Sequence, residues 1–185
     1  MINWKVAFTL HPNLPYCIKT NFQVHEGYCE NIYKDSVNKL TFGIGHLIKT
    51  NDSEHGQACG TPVGASRVLS VFNADATKHV GECYKLYPNF ESLPDFVQLV
   101  VGDMMFNMGY GRLSGFRNMK NAILAKDYDR AADEMKFTSQ GSGVESQWYQ
   151  QTGRRAIKLV SMMRSESAAH GYTEADINTS DCNKC

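Results

Sequence analysis

The apolar residues of this chain recur with two different spacings. Between residues 29 and 47 they alternate with polar or small residues, a period of two that predicts a small antiparallel sheet with turns at 35–36 and near Asn38. Elsewhere they recur every three or four positions, which is the helical period. The predicted helices span 16–26, 64–84, 94–108, 115–125, 127–137 and 152–167. The pattern predicts an α+β fold that is mainly α, with the small antiparallel sheet near the N-terminus.

The long predicted helix over 64–84 indicates a chain of two lobes. It is long enough to connect a small lobe at about 27–63 with a helical lobe at about 93–168. Three further segments belong to neither the predicted sheet nor the predicted helices. They are an N-terminal extension at 1–15, a glycine-containing insertion at 140–147 and a weakly periodic tail at 169–185.

The charge balance argues against a polyanion as the partner. The 185 residues carry 19 Lys and Arg against 19 Asp and Glu, so no strongly basic surface is expected to attract nucleic acid. No apolar run reaches the roughly 18 residues of a membrane span, so membrane insertion is not expected. The N-terminus has no obvious secretion signal, because its apolar stretch is short and Pro12 comes early.

The six cysteines form an even set, at positions 17, 29, 59, 83, 182 and 185. This count fits either three disulfides or a scatter of buried thiols. Cys182 and Cys185 have C-x-x-C spacing but supply only two of the four ligands of a structural zinc site, so no metal or other cofactor is expected. If the protein acts in an oxidising compartment, at least one disulfide is expected, and a bridge from Cys17 to Cys182 or Cys185 would join the two chain ends.

The segment HEGYCENIYKDSVNKLTFGIGH, residues 25–46, contains the residues best suited to chemistry. Glu26 ends a predicted helix, Asp35 lies at the first turn of the sheet, and Thr41 lies in the next strand. Two carboxylates on either side of a sugar can protonate a leaving oxygen and activate a water. Each residue also has an ordinary structural interpretation, as a solvated helix end, a turn former and a strand residue.

The spacing of these residues resembles that of the lysozymes of T-even bacteriophages and their relatives, glycoside hydrolase family 24. Eight residues separate Glu26 from Asp35, five more precede Thr41, and G-I-G-H follows at 43–46. The likeness continues in order through FNAD, MFNMG, GFRN, AA, WYQQT and RA. It implies a lysozyme-like two-lobed fold with a catalytic domain at 16–168. It also implies an inverting glycosidase in which Glu26 is the general acid, Asp35 the base or electrostatic partner, and Thr41 a residue that holds the water.

Three supporting residues follow from the same resemblance. His46 is expected to be a structural histidine paired with Asp75, although a catalytic base or a metal ligand is the alternative. Arg155 matches a family arginine that pairs with the catalytic acid. Such a pairing would lower the pKa of the acid, whereas burial would raise it.

Four substrate-binding residues are also implied. Leu47 and Phe106 match family positions that line the sugar cleft, although either residue type is more often part of a core. Met119 and Glu134 stand where the family has a serine and an asparagine. Contacts with the saccharide are therefore expected to differ from the family pattern.

The function implied by the resemblance is hydrolysis of the β-1,4 bond between N-acetylmuramic acid and N-acetylglucosamine in peptidoglycan. Peptidoglycan is then the partner of an expected monomer, and a cognate inhibitor or immunity protein is a further candidate. A chitinase- or chitosanase-like glycosidase stays open, as does an inactive peptidoglycan-binding module, although both carboxylates are present. The enzyme would act in the periplasm or outside the cell, as a phage endolysin released by a holin, an interbacterial toxin or a host-defence lysozyme.

Overall fold

The computed structural model describes residues 28–35, 38–139 and 141–166, and within them the protein is mainly helical. The strands are β1 (Cys29–Lys34), β2 (Leu40–Gly43) and β3 (His46–Leu47). The helices are α1 (Ala65–Leu86), α2 (Asp95–Leu113), α3 (Arg117–Leu124), α4 (Tyr128–Lys136), α5 (Gln147–Thr152) and α6 (Arg154–Ser165), with a 3-10 turn at Phe90–Ser92. The predicted α+β, mainly α fold class is confirmed. The extension at 1–15, the predicted helix at 16–26 and the tail at 169–185 lie outside the described residues.

The described residues divide into two compact units, one at 28–78 and the other at 79–166. We call them the sheet unit and the helical unit. The boundary falls inside α1, between Lys78 and His79, so most of this helix belongs to the sheet unit. The helix itself begins and ends within two residues of its predicted span of 64–84.

A three-stranded antiparallel sheet in the order β1-β2-β3 is the centre of the sheet unit. Tyr33 lies opposite Thr41 and Phe42 opposite His46, so the strands pair as the alternation of apolar residues predicts. The register shifts between Cys29 and Tyr33. Because an irregular register reorients side chains, burial along β1 does not alternate strictly.

Gly43 sits where the sheet meets α1. Its φ of 66° lies in the left-handed region, and a Cβ on this residue would come within 2.9 Å of Val68 Cγ1 on α1. Glycine avoids both the backbone strain and the close contact. The first glycine of the G-I-G-H segment is therefore required by the packing of the turn on the helix.

In the helical unit, α2 is the central helix. Every residue from Phe96 to Met105 is buried, which is typical of a helix packed on all sides. Gly109 breaks the helical path with φ 73° and ψ 168°, directly after the predicted end of the helix at 108, but the helix resumes as far as Leu113. α6 packs against both α2 and α4. None of the helices in the described ranges is long and apolar enough to span a membrane.

The chain between α4 and α6 differs from the prediction. The sequence predicts an insertion at 140–147 and one helix over 152–167, whereas α5 begins at Gln147 and Gly153 separates it from α6. Ser146 caps α5, because its Oγ accepts a hydrogen bond from the Tyr149 amide at 3.2 Å. Six residues are too few to show a helical period, so the cap is the only sequence signal for α5.

Cys29 and Cys83 are buried free thiols. The interpretation of the six cysteines as three disulfides is therefore wrong, and at most two bridges can form among the other four. Burial raises the pKa of the Cys83 thiol, so it remains neutral and packs as a small apolar side chain. The expected bridge from Cys17 to Cys182 or Cys185 lies outside the described residues.

The position of Gly43 leads to a prediction about stability. Gly43→Ala should lower the free energy of unfolding by about 2 to 4 kcal/mol, because it adds the cost of a positive φ to the cost of overpacking against Val68. Urea unfolding followed by circular dichroism measures the difference.

Gly56→Ala is the matched control, because Gly56 also has a positive φ of 83° but nothing lies within 4 Å of its Cβ position. It should cost only about 1 to 2 kcal/mol, the backbone part of the effect. Equal losses in the two variants would show that the contact with Val68 contributes nothing.

Candidate active site

The hairpin of β1 and β2 places Asp35 and Thr41 on one face. Tyr33 pairs with Thr41, and two residues further along the hairpin the Asp35 amide donates to the Lys39 carbonyl at 2.9 Å. Because side chains alternate between the two faces of a hairpin, Asp35 and Thr41 are diagonal neighbours on the same face. Asp35 and Thr41, six residues apart in the sequence, thus lie close together across the hairpin.

The side chains of Asp35 and Thr41 both form hydrogen bonds with the backbone of Lys39. Asp35 Oδ1 accepts a hydrogen bond from the Lys39 amide at 2.8 Å. Thr41 Oγ1 donates one to the Lys39 carbonyl at 3.2 Å, and Thr41 is only 3% exposed. These two contacts fix the carboxylate and the hydroxyl relative to each other. Glu26, the third predicted catalytic residue, lies outside the described residues.

His46, the last residue of the G-I-G-H segment, lies between two carboxylates. Its Nδ1 is 2.6 Å from Asp75 Oδ2 on α1, and its Nε2 is 3.1 Å from Asp52 Oδ2 in the loop after β3. Burial acts to lower the pKa of His46, but the hydrogen bonds and charges of Asp75 and Asp52 outweigh it and raise the pKa above its usual value. Across the described residues, no group of three or more His, Cys, Asp or Glu side chains is placed to hold a metal ion.

Arg67 on α1 extends these contacts to Glu54. Its Nε and Nη2 donate to the two carboxylate oxygens of Glu54 at 2.9 and 2.8 Å, and Nη2 also lies 3.8 Å from Asp52 Oδ1. The Arg67 guanidinium lowers the pKa of Glu54 to about 2, although burial acts in the opposite direction. We call His46, Asp75, Asp52, Arg67 and Glu54 the His46 network.

In the helical unit, Arg155 on α6 pairs with Asp103 on α2. Arg155 Nε donates to Asp103 Oδ1 at 2.7 Å, and the two side chains are only 8% and 1% exposed. The pair therefore joins two packed helices through a buried, charge-assisted hydrogen bond. Whether Arg155 also pairs with Glu26 stays a prediction, because Glu26 lies outside the described residues.

The four predicted substrate-binding residues have different environments. Leu47 is 40% exposed in the sheet unit. Phe106 is partly exposed in the helical unit, where its ring lies edge-on to that of His79 at 5.2 Å. Met119 and Glu134 are buried, and both line a pocket of about 540 Å³ in the helical unit. The structure thus brings Met119 and Glu134 to one pocket.

The chain is similar in sequence to known proteins. The phage lysozyme family matches residues 23–158. The chain belongs to the phage lysozyme family. Two relatives from Dictyostelium discoideum, probable T4-type lysozymes 2 and 1, are 25% and 26% identical over 167 and 168 residues, which is 80% of this chain and 94% of each relative. The pre-baseplate central spike protein Gp5 of Enterobacteria phage T4 is 28% identical over 152 residues, which is 72% of this chain but only 25% of Gp5.

Membership of the phage lysozyme family supports a lysozyme-like glycosidase, and it implies peptidoglycan of the cell wall as the substrate. Hydrolysis of a glycosidic bond generally uses a pair of carboxylates, and Asp35 is the one of the two predicted for this role that the structure describes.

Four residues that support the site are not identified from the sequence. Asp52, Glu54 and Arg67 are ordinary polar residues of a loop and a helix surface, so nothing in their spacing indicates a shared network. Asp103 is easier to recognise in the sequence as a residue that needs a partner, because it is a carboxylate inside the apolar segment of α2. A charge in a buried run needs a partner, which here is Arg155.

The lowered pKa of Glu54 predicts acid-sensitive stability. Because the folded-state pKa is depressed, the carboxylate stabilises the protein above its unfolded pKa of about 4.3, and this contribution is lost as pH falls towards about 2. Glu54→Gln should therefore lower the free energy of unfolding by about 1 to 3 kcal/mol at pH 7 and by almost nothing near pH 2. Urea unfolding at a series of pH values measures this.

Glu30→Gln is the control, because it removes an exposed carboxylate from β1 of the same unit. It should change the free energy of unfolding little at either pH. A destabilisation by Glu54→Gln that is the same at pH 7 and near pH 2 would contradict the ion pair as its source.

Proposed function

We propose that this phage lysozyme family member hydrolyses the β-1,4 bond between N-acetylmuramic acid and N-acetylglucosamine of peptidoglycan with inversion. The observation that supports it best is the pair of contacts from Asp35 and Thr41 to the backbone of Lys39. These contacts hold a carboxylate and a hydroxyl together on one hairpin face, where one water could contact both. An inverting glycosidase needs a water held in this way beside its base.

The directions of the hydrogen bonds suggest how the water would be oriented. Thr41 Oγ1 donates its proton to Lys39, so towards a water it acts as an acceptor. One water proton would then point to Thr41 and the other to the Asp35 carboxylate, which takes it as general base. The oxygen lone pair is left directed away from both residues, towards the anomeric carbon of the bound sugar.

Glu26 supplies the proton for the leaving oxygen in this mechanism, as the family pattern implies. A free glutamate has a pKa of about 4.3, so the residue must be held protonated by its surroundings at neutral pH. The family pattern also places an arginine, Arg155, as the partner of this acid. Asp103 already neutralises part of the Arg155 charge, which would weaken the tendency of the arginine to lower the pKa of Glu26.

The biological setting belongs to the same proposal. The protein acts on the cell wall in the periplasm or outside the cell. It reaches this compartment by holin release, by a secretion system or by host secretion. A monomer is sufficient, since Glu26, Asp35 and Thr41 all come from one chain. Muropeptides released from purified walls and identified by mass spectrometry would show whether the bond after N-acetylmuramic acid is cleaved.

Replacing the proposed acid should abolish catalysis without changing the shape of the side chain. We expect Glu26→Gln to reduce the rate of wall clearing at least about 100-fold, because an amide cannot deliver the proton. The change is measured by the turbidity of a suspension of purified walls. Glu30→Gln is the control and should clear walls at the wild-type rate, and an active Glu26→Gln would remove Glu26 from the mechanism.

Replacing the proposed base should be equally damaging for a different reason. Asp35→Asn keeps an oxygen for the Lys39 amide, so the hairpin should fold normally, but the amide cannot accept the proton of the water. The wild-type enzyme should release the α-anomer first, and proton NMR during early hydrolysis of a soluble glycan detects it. Early β-anomer would contradict the inverting geometry.

A further inference from the structure

The face of the sheet that carries Asp35 and Thr41 also carries a lysine. Tyr33 lies opposite Thr41 in the pairing of β1 with β2. Two residues further along the hairpin, the Asp35 amide donates to the Lys39 carbonyl at 2.9 Å, so the same register places Lys39 opposite Asp35. Opposite residues of an antiparallel pair lie on one face with their Cβ atoms roughly 5 Å apart. Lys39 is therefore a direct neighbour of the proposed base.

The hairpin uses the backbone of Lys39 and not its side chain. Lys39 is exposed, and in the part of the chain that the structure describes it forms its hydrogen bonds through its amide and carbonyl, with Asp35 and Thr41. An exposed ammonium of this kind is hydrated and can exchange its water for a ligand at little cost. The Lys39 charge is therefore available to a substrate that covers this face.

A lysine next to a general base affects which glycans can approach. The Asp35 carboxylate has to be ionised to accept a proton from water, so it repels any carboxylate of the substrate that comes near it. The Lys39 ammonium has the opposite charge on the same face, where it offsets that repulsion and attracts an anion. A neutral glycan such as chitin gains nothing from this charge. The arrangement thus favours a glycan that carries carboxylates.

We propose that Lys39 binds a carboxylate of peptidoglycan and thereby selects this polymer over neutral glycans. This inference rests on the proposed function, because it assigns the sheet face to the same substrate. Two parts of the polymer carry carboxylates next to the glycan strand. They are the lactyl group of N-acetylmuramic acid where the peptide stem is absent, and the stem itself where it is present. A lysine suits either source, because its ammonium is a compact charge with three donors on a flexible side chain.

The test is direct binding, measured by calorimetry at low ionic strength in the Glu26→Gln background so that no ligand is cleaved. The first pair of ligands is a stem-free tetrasaccharide of alternating N-acetylglucosamine and N-acetylmuramic acid, and the same compound with its lactyl carboxylates amidated. The second pair is the stem-bearing tetrasaccharide and its form with amidated stem carboxylates. The protein should prefer the carboxylate form in at least one pair by roughly 2- to 5-fold, the range expected for one exposed ion pair. The pair that shows the preference identifies the source of the carboxylate.

Adding Lys39→Gln should remove that preference, whereas Lys39→Arg should keep it because the charge remains. Lys34→Gln is the control and should also keep the preference. It removes the same charge from the same hairpin, but Lys34 lies opposite Leu40, on the other face from Asp35.

Equal binding of carboxylate and amidated forms by the starting protein would overturn the proposal. So would an unchanged preference in Lys39→Gln, or an equal loss of preference in Lys34→Gln. Wall hydrolysis by the protein with Glu26 intact is a separate measurement. Carboxylate selection without hydrolysis would reject the proposed function alone, and hydrolysis without carboxylate selection would reject only the role of Lys39.

Discussion

The His46 network is the interaction on which the sheet unit depends. Its sheet is small, and β3 consists of only two residues, His46 and Leu47. So short a strand gains little from ladder hydrogen bonds alone. His46 is instead held by Asp75 on α1 and by Asp52, and Arg67 on α1 in turn binds Glu54 in the same loop. The strand and the loop that follows it are thus attached to one helix by charged side chains.

The position of the proposed base follows from this attachment. Phe42 pairs with His46 across the sheet and packs its ring 5.0 Å from the imidazole. Thr41 is the next residue, and its hydroxyl and the Asp35 carboxylate are fixed on Lys39. A displacement of His46 would therefore be transmitted through Phe42 to Thr41, which is one of the residues proposed to hold the water. Gly43 serves the same arrangement, because it lets the turn approach Val68 on α1.

The buried carboxylates Glu54, Asp103 and Glu134 differ in their hydrogen-bond and ion-pair partners. Glu54 and Asp103 each accept hydrogen bonds from an arginine, which makes them parts of the structure. Such pairs are costly to break, since removal of one partner leaves the other charged and buried. Glu134 accepts one hydrogen bond from the Asn118 amide, and the Arg130 guanidinium lies 3.9 Å from its other oxygen.

The sequence alone determined the α+β class, the approximate span of α1, the hairpin and the local grouping of Asp35 with Thr41. These depend on periodicity and on contacts within one helix or one hairpin. The tertiary structure alone decided that Asp52, Glu54 and Arg67 join His46 and Asp75, that Asp103 meets Arg155, and that one oxygen of Glu134 is buried without a hydrogen-bond partner. Charged residues carry no period that identifies a partner. Their pairing is set by which segments the packing of apolar faces brings together.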